Sequence, residues 1–218
     1  ISFIFYVVWR YKMTAITRLV VAILSCLAAF QAAEYMVCGG IGLHGGTWSR
    51  IGYGAITLLP PLGLHLTYKI AGRSNKYLIT AAYATASAFL AYYFVMTGAI
   101  SGQTCYANYS VFDTHRASTL LYAAYYYGWL LTAVTVSWRF ASKYKKHAAA
   151  LKALAVGYAA FIVPTTAINL IDPSTIAGIP SIMCGFAVLL AFVLVGRVAP
   201  DVIEKKNERE SLNQTSNI

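Results

Sequence analysis

Charge is what this sequence has least of. Of 218 residues only 11% are charged, while 59% are hydrophobic; an average soluble domain is roughly a quarter charged. Mean hydropathy is +0.61. A water-soluble globule of this size cannot cover its surface with so few charges, and a disordered chain needs low hydrophobicity. Both classes are excluded, which leaves one compact integral membrane domain. Acids are scarcest: of seven Asp+Glu, Asp201, Glu204, Glu208 and Glu210 crowd the end of the chain, so Glu34, Asp113 and Asp172 alone serve the rest. The net charge of +10 would point to nucleic acid in a soluble protein. In a membrane protein its distribution decides instead, and no nucleic-acid partner is expected.

Catalytic and metal-binding patterns are missing as well. There is no Cys-x-x-Cys, no His-Glu-x-x-His, and no pair of histidines one helical turn apart among His44, His65, His115 and His147. The ligand clustering that zinc needs is therefore absent, and neither metal nor cofactor is expected. No G-x-S-x-G marks a nucleophile. The glycine-rich GGIGLHGG over Gly39–Gly46 has no lysine and is not a phosphate cradle. The last apolar segment contains no lysine for a retinal Schiff base. The expectation is a non-catalytic chain.

Seven apolar segments are present: Ile1–Trp9, Thr14–Val37, Trp48–Tyr68, Tyr77–Thr97, Ala117–Trp138, Leu151–Ile171 and Ile176–Val198. A helix crosses ~30 Å of hydrocarbon with about 20 residues. The first segment reaches about half that depth at ~1.5 Å per residue, and is expected to be the end of a helix that starts earlier. Basic residues set the orientation. Fifteen of the 17 Lys+Arg fall at alternate turnarounds: Arg10, Lys12 and Arg18; Lys69, Arg73 and Lys76; Arg139, Lys143, Lys145, Lys146 and Lys152; Arg197, Lys205, Lys206 and Arg209. Arg50 and Arg116 are left for the other side. The positive-inside rule then predicts an all-α bundle of seven transmembrane helices, N-terminus out and C-terminus in. Residues 1–199 form the transmembrane domain and 200–218 a short cytoplasmic tail. The expected setting is a multi-pass protein of a cell membrane, a bacterial inner membrane. The acid-free loop between the fifth and sixth segments either attracts anionic lipid or only fixes orientation.

Cys26 and Cys184 fall inside helices and read as small packing residues. Cys38 and Cys105 both fall at the outer face, which is an oxidising compartment; there a disulfide between two loops and a pair of free thiols are both open readings. The outer loop Ser101–Arg116 reads as longer and polar and carries Asp113, His115 and Arg116, with Asn108-Tyr109-Ser110 a glycosylation sequon in a secretory setting.

Glu34 is the most informative side chain, because an ionisable residue in an apolar helix marks a functional site by default. It lies about one turn below the outer surface, where it either meets water or lines a pocket. Counting depth along the other helices places Gln31, Tyr53, Tyr92, Tyr93, Tyr122, Tyr125, Tyr126, Thr166 and Asn169 at the same level. These residues with Glu34 form a candidate ligand-binding set, an aromatic pocket suited to a small cation or a neutral hydrogen-bonding ligand. Pro60-Pro61, Pro164 and Pro180 break the helices at positions where neighbours must satisfy freed carbonyls.

The Gln31/Glu34 pair, the proline-rich LLPPLGLHL and the closing SIMCGFAVLLAFVLVGRVAP resemble small uncharacterised bacterial seven-helix membrane proteins. The arrangement is also similar to the seven-helix sensor region that precedes histidine kinases. That resemblance implies fold and topology; only the eighteen residues after Pro200 follow here, so no kinase is expected on this chain. Three functions fit: a non-catalytic subunit packed within a larger membrane complex, a seven-helix sensor or small-ligand-binding protein using the outer pocket, and a small transporter. The subunit is the leading expectation, with the lipid bilayer and other membrane subunits as partners, because AAYATASAFLAYY offers a small-residue packing face.

Overall fold

The computed structural model describes residues 1–39, 42, 45–96, 98–106, 109–114 and 116–206. His44, Asn108 of the sequon, His115 and the tail from 207 onward lie outside these residues. The chain is mostly helical. Its helices are α1 (Ser2–Arg10), α2 (Ala15–Gly39), α3 (Gly45–Thr57), α4 (Leu59–Ile70), α5 (Lys76–Val95), α6 (Arg116–Lys143), α7 (Ala148–Ile171), α8 (Ile179–Phe186), α9 (Val188–Val193) and α10 (Ala199–Val202). A 3-10 turn over Pro173–Gly178 leads into α8, and a π-helical turn over Leu194–Val198 joins α9 to α10. Among the described residues, four helical stretches are long and apolar enough to cross a membrane: α2, α5, α7 and the run Ile179–Val202. Helix α6 has the length, at 28 residues, but Tyr125-Tyr126-Tyr127 and Trp129 dilute its hydropathy.

The third apolar segment is two helices, not one. Pro61 has no N–H to give the carbonyl of Thr57, so the α-helical ladder breaks at Leu58. Helix α6 makes good the loss: Tyr125 Oη donates to Thr57 O at 2.6 Å. Tyr122 Oη and Thr57 Oγ1 lie 3.1 Å apart beside it, and Thr57 Oγ1 donates to Tyr53 O at 2.6 Å. Near Pro164 in α7, Thr165 and Thr166 turn their hydroxyls back to the carbonyls of Phe161 and Ile162. Close helix contacts sit at small residues. Gly63 of α4 admits the hydroxyl of Tyr158 from α7, and Gly157 admits Leu190. Phe30, Leu64, Leu151, Leu154 and Leu194 are fully buried between them.

The basic turnarounds share one end of the bundle. Arg73 sits 4.6 Å over the Tyr144 ring, which joins the α4–α5 and α6–α7 connections. His147 and Asp201 lie 3.3 Å apart, joining the latter to α10. Lys12 pairs with Glu204 at 2.6 Å, and the backbones of Tyr11 and Lys205 bridge, so the segments after α1 and α10 close on each other.

The opposite end carries a β-hairpin within the long polar loop. Strands β1 (Ile100–Cys105) and β2 (Ser110–Thr114) pair antiparallel, from Cys105 opposite Ser110 to Ile100 opposite Thr114. The purely helical expectation is corrected to a helical bundle capped by one β-hairpin. The alternation in β2 explains it: Ser110 and Phe112 are buried while Asp113 is exposed, the period-2 pattern of a half-buried strand.

Candidate functional site

The hairpin is held down at three points. Cys38, at the end of α2, is disulfide-bonded to Cys105 of β1, with a Cα–Cα distance of 5.8 Å. The Ser110 hydroxyl donates to Glu34 Oε1 at 2.9 Å. The Ser110 backbone N–H donates to Ser181 Oγ of α8 at 3.0 Å, and Ser181 is itself hydrogen-bonded to the Glu34 carboxylate. One carboxylate thus gathers α2, β2 and α8. Gln31 Nε2 donates to its other oxygen at 3.4 Å.

So anchored, β2 drives Phe112 into the bundle. Its ring meets Tyr53 at 5.6 Å and Phe30 at 6.2 Å, both edge to face, the preferred arrangement of aromatic pairs. The Tyr53 hydroxyl is hydrogen-bonded to Thr114, and Thr114 Oγ1 lies 2.6 Å from Thr119 Oγ1 at the start of α6. Beneath this cap is a cavity of about 200 Å³. Tyr53, Phe112, Tyr122, Tyr126 and Tyr127 supply aromatic walls, and Ile56, Val111, Ile179 and Met183 supply aliphatic and thioether surface. Asp113, Thr114 and Thr119 stand at the hairpin edge. Two other lining residues, Leu120 and Ile176, are 66% and 49% exposed. The cavity therefore reaches the flank of the bundle between α6 and the 3-10 turn.

Three residues of the candidate set line this cavity: Tyr53, Tyr122 and Tyr126. The others do not. Glu34 looks toward the hairpin and α8, Gln31, one turn earlier, lines a separate groove with Ile1, Phe3, Ile4, Cys184 and Val188, and Phe30 and Ala33 face Gly52 of α3. Glu34 is thus an anchor of the cap, bonded to Ser110 and Ser181 and outside the lining of this cavity. Tyr93 is fully buried, with its ring 4.6 Å from Tyr53, and half-buried Tyr92 packs on it at 5.2 Å. Tyr125 is committed to the helix break at Thr57. Thr166 lies behind the wall, hydrogen-bonded to the Tyr127 side chain. Asn169 Oδ1 accepts from Thr175 at 2.7 Å and so shapes the 3-10 turn. Sequence reasoning missed Phe112, Asp113, Tyr127 and Met183. The Ser-Val-Phe-Asp-Thr alternation was the available signal for the first two.

His65 is occupied elsewhere, with Nδ1 3.3 Å from the Tyr83 hydroxyl. Cys26 is partly buried and Cys184 buried, both as free thiols. Among the described residues, no group of three or more His, Cys, Asp or Glu side chains is placed to hold a metal ion. No family model, curated protein or solved structure matches this chain.

Proposed function

We propose that this chain is a multi-pass membrane protein of seven spans whose hairpin end faces outward, and that it binds a small, largely apolar molecule in the capped cavity without transforming it. The observation that carries the reading is the cavity itself, walled by rings from α3, α6 and the hairpin and roofed by a hairpin with three separate tethers. A protein that only packed against lipid would have no use for a hollow under a fastened cap, because interiors otherwise fill to crystal-like density. The orientation rests on the basic clusters gathered at the far end and on a disulfide suited to an oxidising outer compartment. The sensor-like resemblance accords with a binding site and supplies no chemistry of its own.

The test is thermal unfolding in detergent with phenol, indole, cyclohexanol and tetramethylammonium, on the wild type and on Ala123→Leu, which fills the cavity from its α6 wall. A ligand at a hundred times its Kd stabilises by about 2.7 kcal/mol. At least one probe should raise the melting temperature of the wild type and leave Ala123→Leu unmoved. If every probe acts alike on both proteins, the cavity is not a binding site.

The subunit reading keeps one observation in its favour. Helix α5 fully buries only Ala82, Ala86 and Tyr93 of its twenty residues, and its exposed face, which includes Tyr77, Ala84, Ala91 and Val95, is open to lipid or a neighbouring chain. Native mass measurement of the protein purified in mild detergent separates these: a lone monomer rejects the subunit.

A further inference from the structure

We propose that the ligand of the capped cavity carries a trimethylammonium group. The inference rests on the binding reading above and adds the chemical class. Five aromatic rings line the cavity, and the hydroxyls of three are engaged with protein: Tyr122 with Thr57, Tyr53 with Thr114 and Tyr127 with Thr166. What these side chains leave for a ligand is ring surface. Ring faces attract a cation through their quadrupole, and the diffuse charge of a quaternary ammonium asks for no hydrogen bond in return.

The remaining walls agree. Ile56, Ile179 and Met183 suit methyl groups, and Asp113 stands exposed at the rim, where a carboxylate draws cations inward. No Lys, Arg or His is among the described lining residues. Of the two other acids at this end, Glu34 is committed to Ser110 and Ser181, and Asp172, which ends α7 ahead of the 3-10 turn, is not among the lining residues. A sugar-like ligand would meet few unengaged polar partners. The volume of about 200 Å³ exceeds a trimethylammonium group and leaves room for a short stem directed out between Leu120 and Ile176. A free choline-type molecule and a choline lipid headgroup share this chemistry, and both can reach an opening on the flank of the bundle.

The experiment is calorimetric titration of the protein in phosphatidylglycerol nanodiscs with choline and with dimethylbutanol, the uncharged carbon isostere of choline. Choline should bind about tenfold or more tightly than the isostere. Asp113→Asn and Phe112→Leu should each weaken choline several-fold and leave dimethylbutanol unchanged. Equal affinity for the two probes overturns the inference. So does silence of choline where phenol or indole still stabilises the wild type selectively over Ala123→Leu, and in that case the cavity reading stands alone. Silence of every probe removes both. Repeating the titration in phosphatidylcholine nanodiscs identifies the source: loss of the choline signal there points to the lipid headgroup, and an unchanged signal points to the free molecule.

Discussion

Replacing Glu34 by leucine should loosen the hairpin without unfolding the bundle. In the native protein the carboxylate accepts from Ser110 at 2.9 Å, and Ser110 is 2% exposed. Leucine leaves that buried hydroxyl and the one on Ser181 with no acceptor, at a cost of ~1–3 kcal/mol. The Cys38–Cys105 bridge holds the same hairpin to the same helix. It closes a loop of 67 residues, which constrains the open chain by about 4 kcal/mol on the chain-entropy account. The two tethers act in parallel and the bridge is the stronger, so Glu34→Leu alone should open the hairpin locally, not release it. Hydrogen–deuterium exchange of the peptide covering residues 100–114 measures this. About 2 kcal/mol corresponds to roughly thirtyfold faster exchange. Glu34→Gln keeps an acceptor and loses the charge assistance, about 1 kcal/mol, and should fall between leucine and the wild type. Adding Cys38→Ser and Cys105→Ser to Glu34→Leu should abolish protection of the hairpin. Exchange unchanged by Glu34→Leu in a protein lacking the disulfide would refute the anchoring role of the carboxylate.

Three further outcomes are expected. Tyr125→Phe removes the donor that serves Thr57 O at the α3–α4 break and should cost ~1–3 kcal/mol in SDS-titration unfolding; adding Pro61→Ala supplies a backbone N–H at that place and should recover much of the loss. Gly63→Ala puts a methyl against the Tyr158 hydroxyl and should destabilise by ~1–3 kcal/mol through overpacking. Tyr158→Phe should recover part of that loss, since Cζ of the ring still lies 2.8 Å from the added methyl, and be neutral or stabilising alone, because among the described residues that buried hydroxyl has no hydrogen-bond partner. Reversing Lys143, Lys145 and Lys146 to glutamate should lower insertion fidelity in topology-reporter fusions; unchanged reporters would remove this loop from the orientation argument.

Segment positions were legible because hydropathy and the rise of the helix are local properties. Each apolar stretch read from the sequence corresponds to helix, and the breaks fall at Gly, Pro and charge. What escaped were effects that need a partner. The α3–α4 break is written in Pro60-Pro61, but how the freed carbonyl of Thr57 is satisfied depends on Tyr125, 68 residues away. The hairpin escaped for a related reason. A half-buried strand shows alternation only against a core that covers one face, and Phe112 finds that core in Tyr53 and Phe30, on two other helices.

Depth along a helix could be counted, and direction around it could not. In a soluble helix the polar face announces which side is outside. Here both sides are apolar: in α7, Leu151 and Leu154 are buried while Val156 and Val163 are more than half exposed, and nothing in their side-chain chemistry separates the pairs. Counting depth therefore gathered Glu34, Tyr93, Tyr125 and Asn169 at one level without telling which of them face a common space. Tyr53, Tyr122 and Tyr126 reached the cavity list on the same count, by the same logic that admitted the others. The one carboxylate in α2 drew the pocket toward itself in the sequence because its cost in hydrocarbon demands an explanation. The structure supplies a different one. Ser110 and Ser181 meet that cost with hydrogen bonds, and in doing so they seat the strand whose next buried residue, Phe112, closes the cavity. Glu34 acts on the site through the hairpin it holds, so its replacement should alter ligand off-rates through cap opening while the contact surface of Tyr53, Tyr122 and Tyr126 stays as it is.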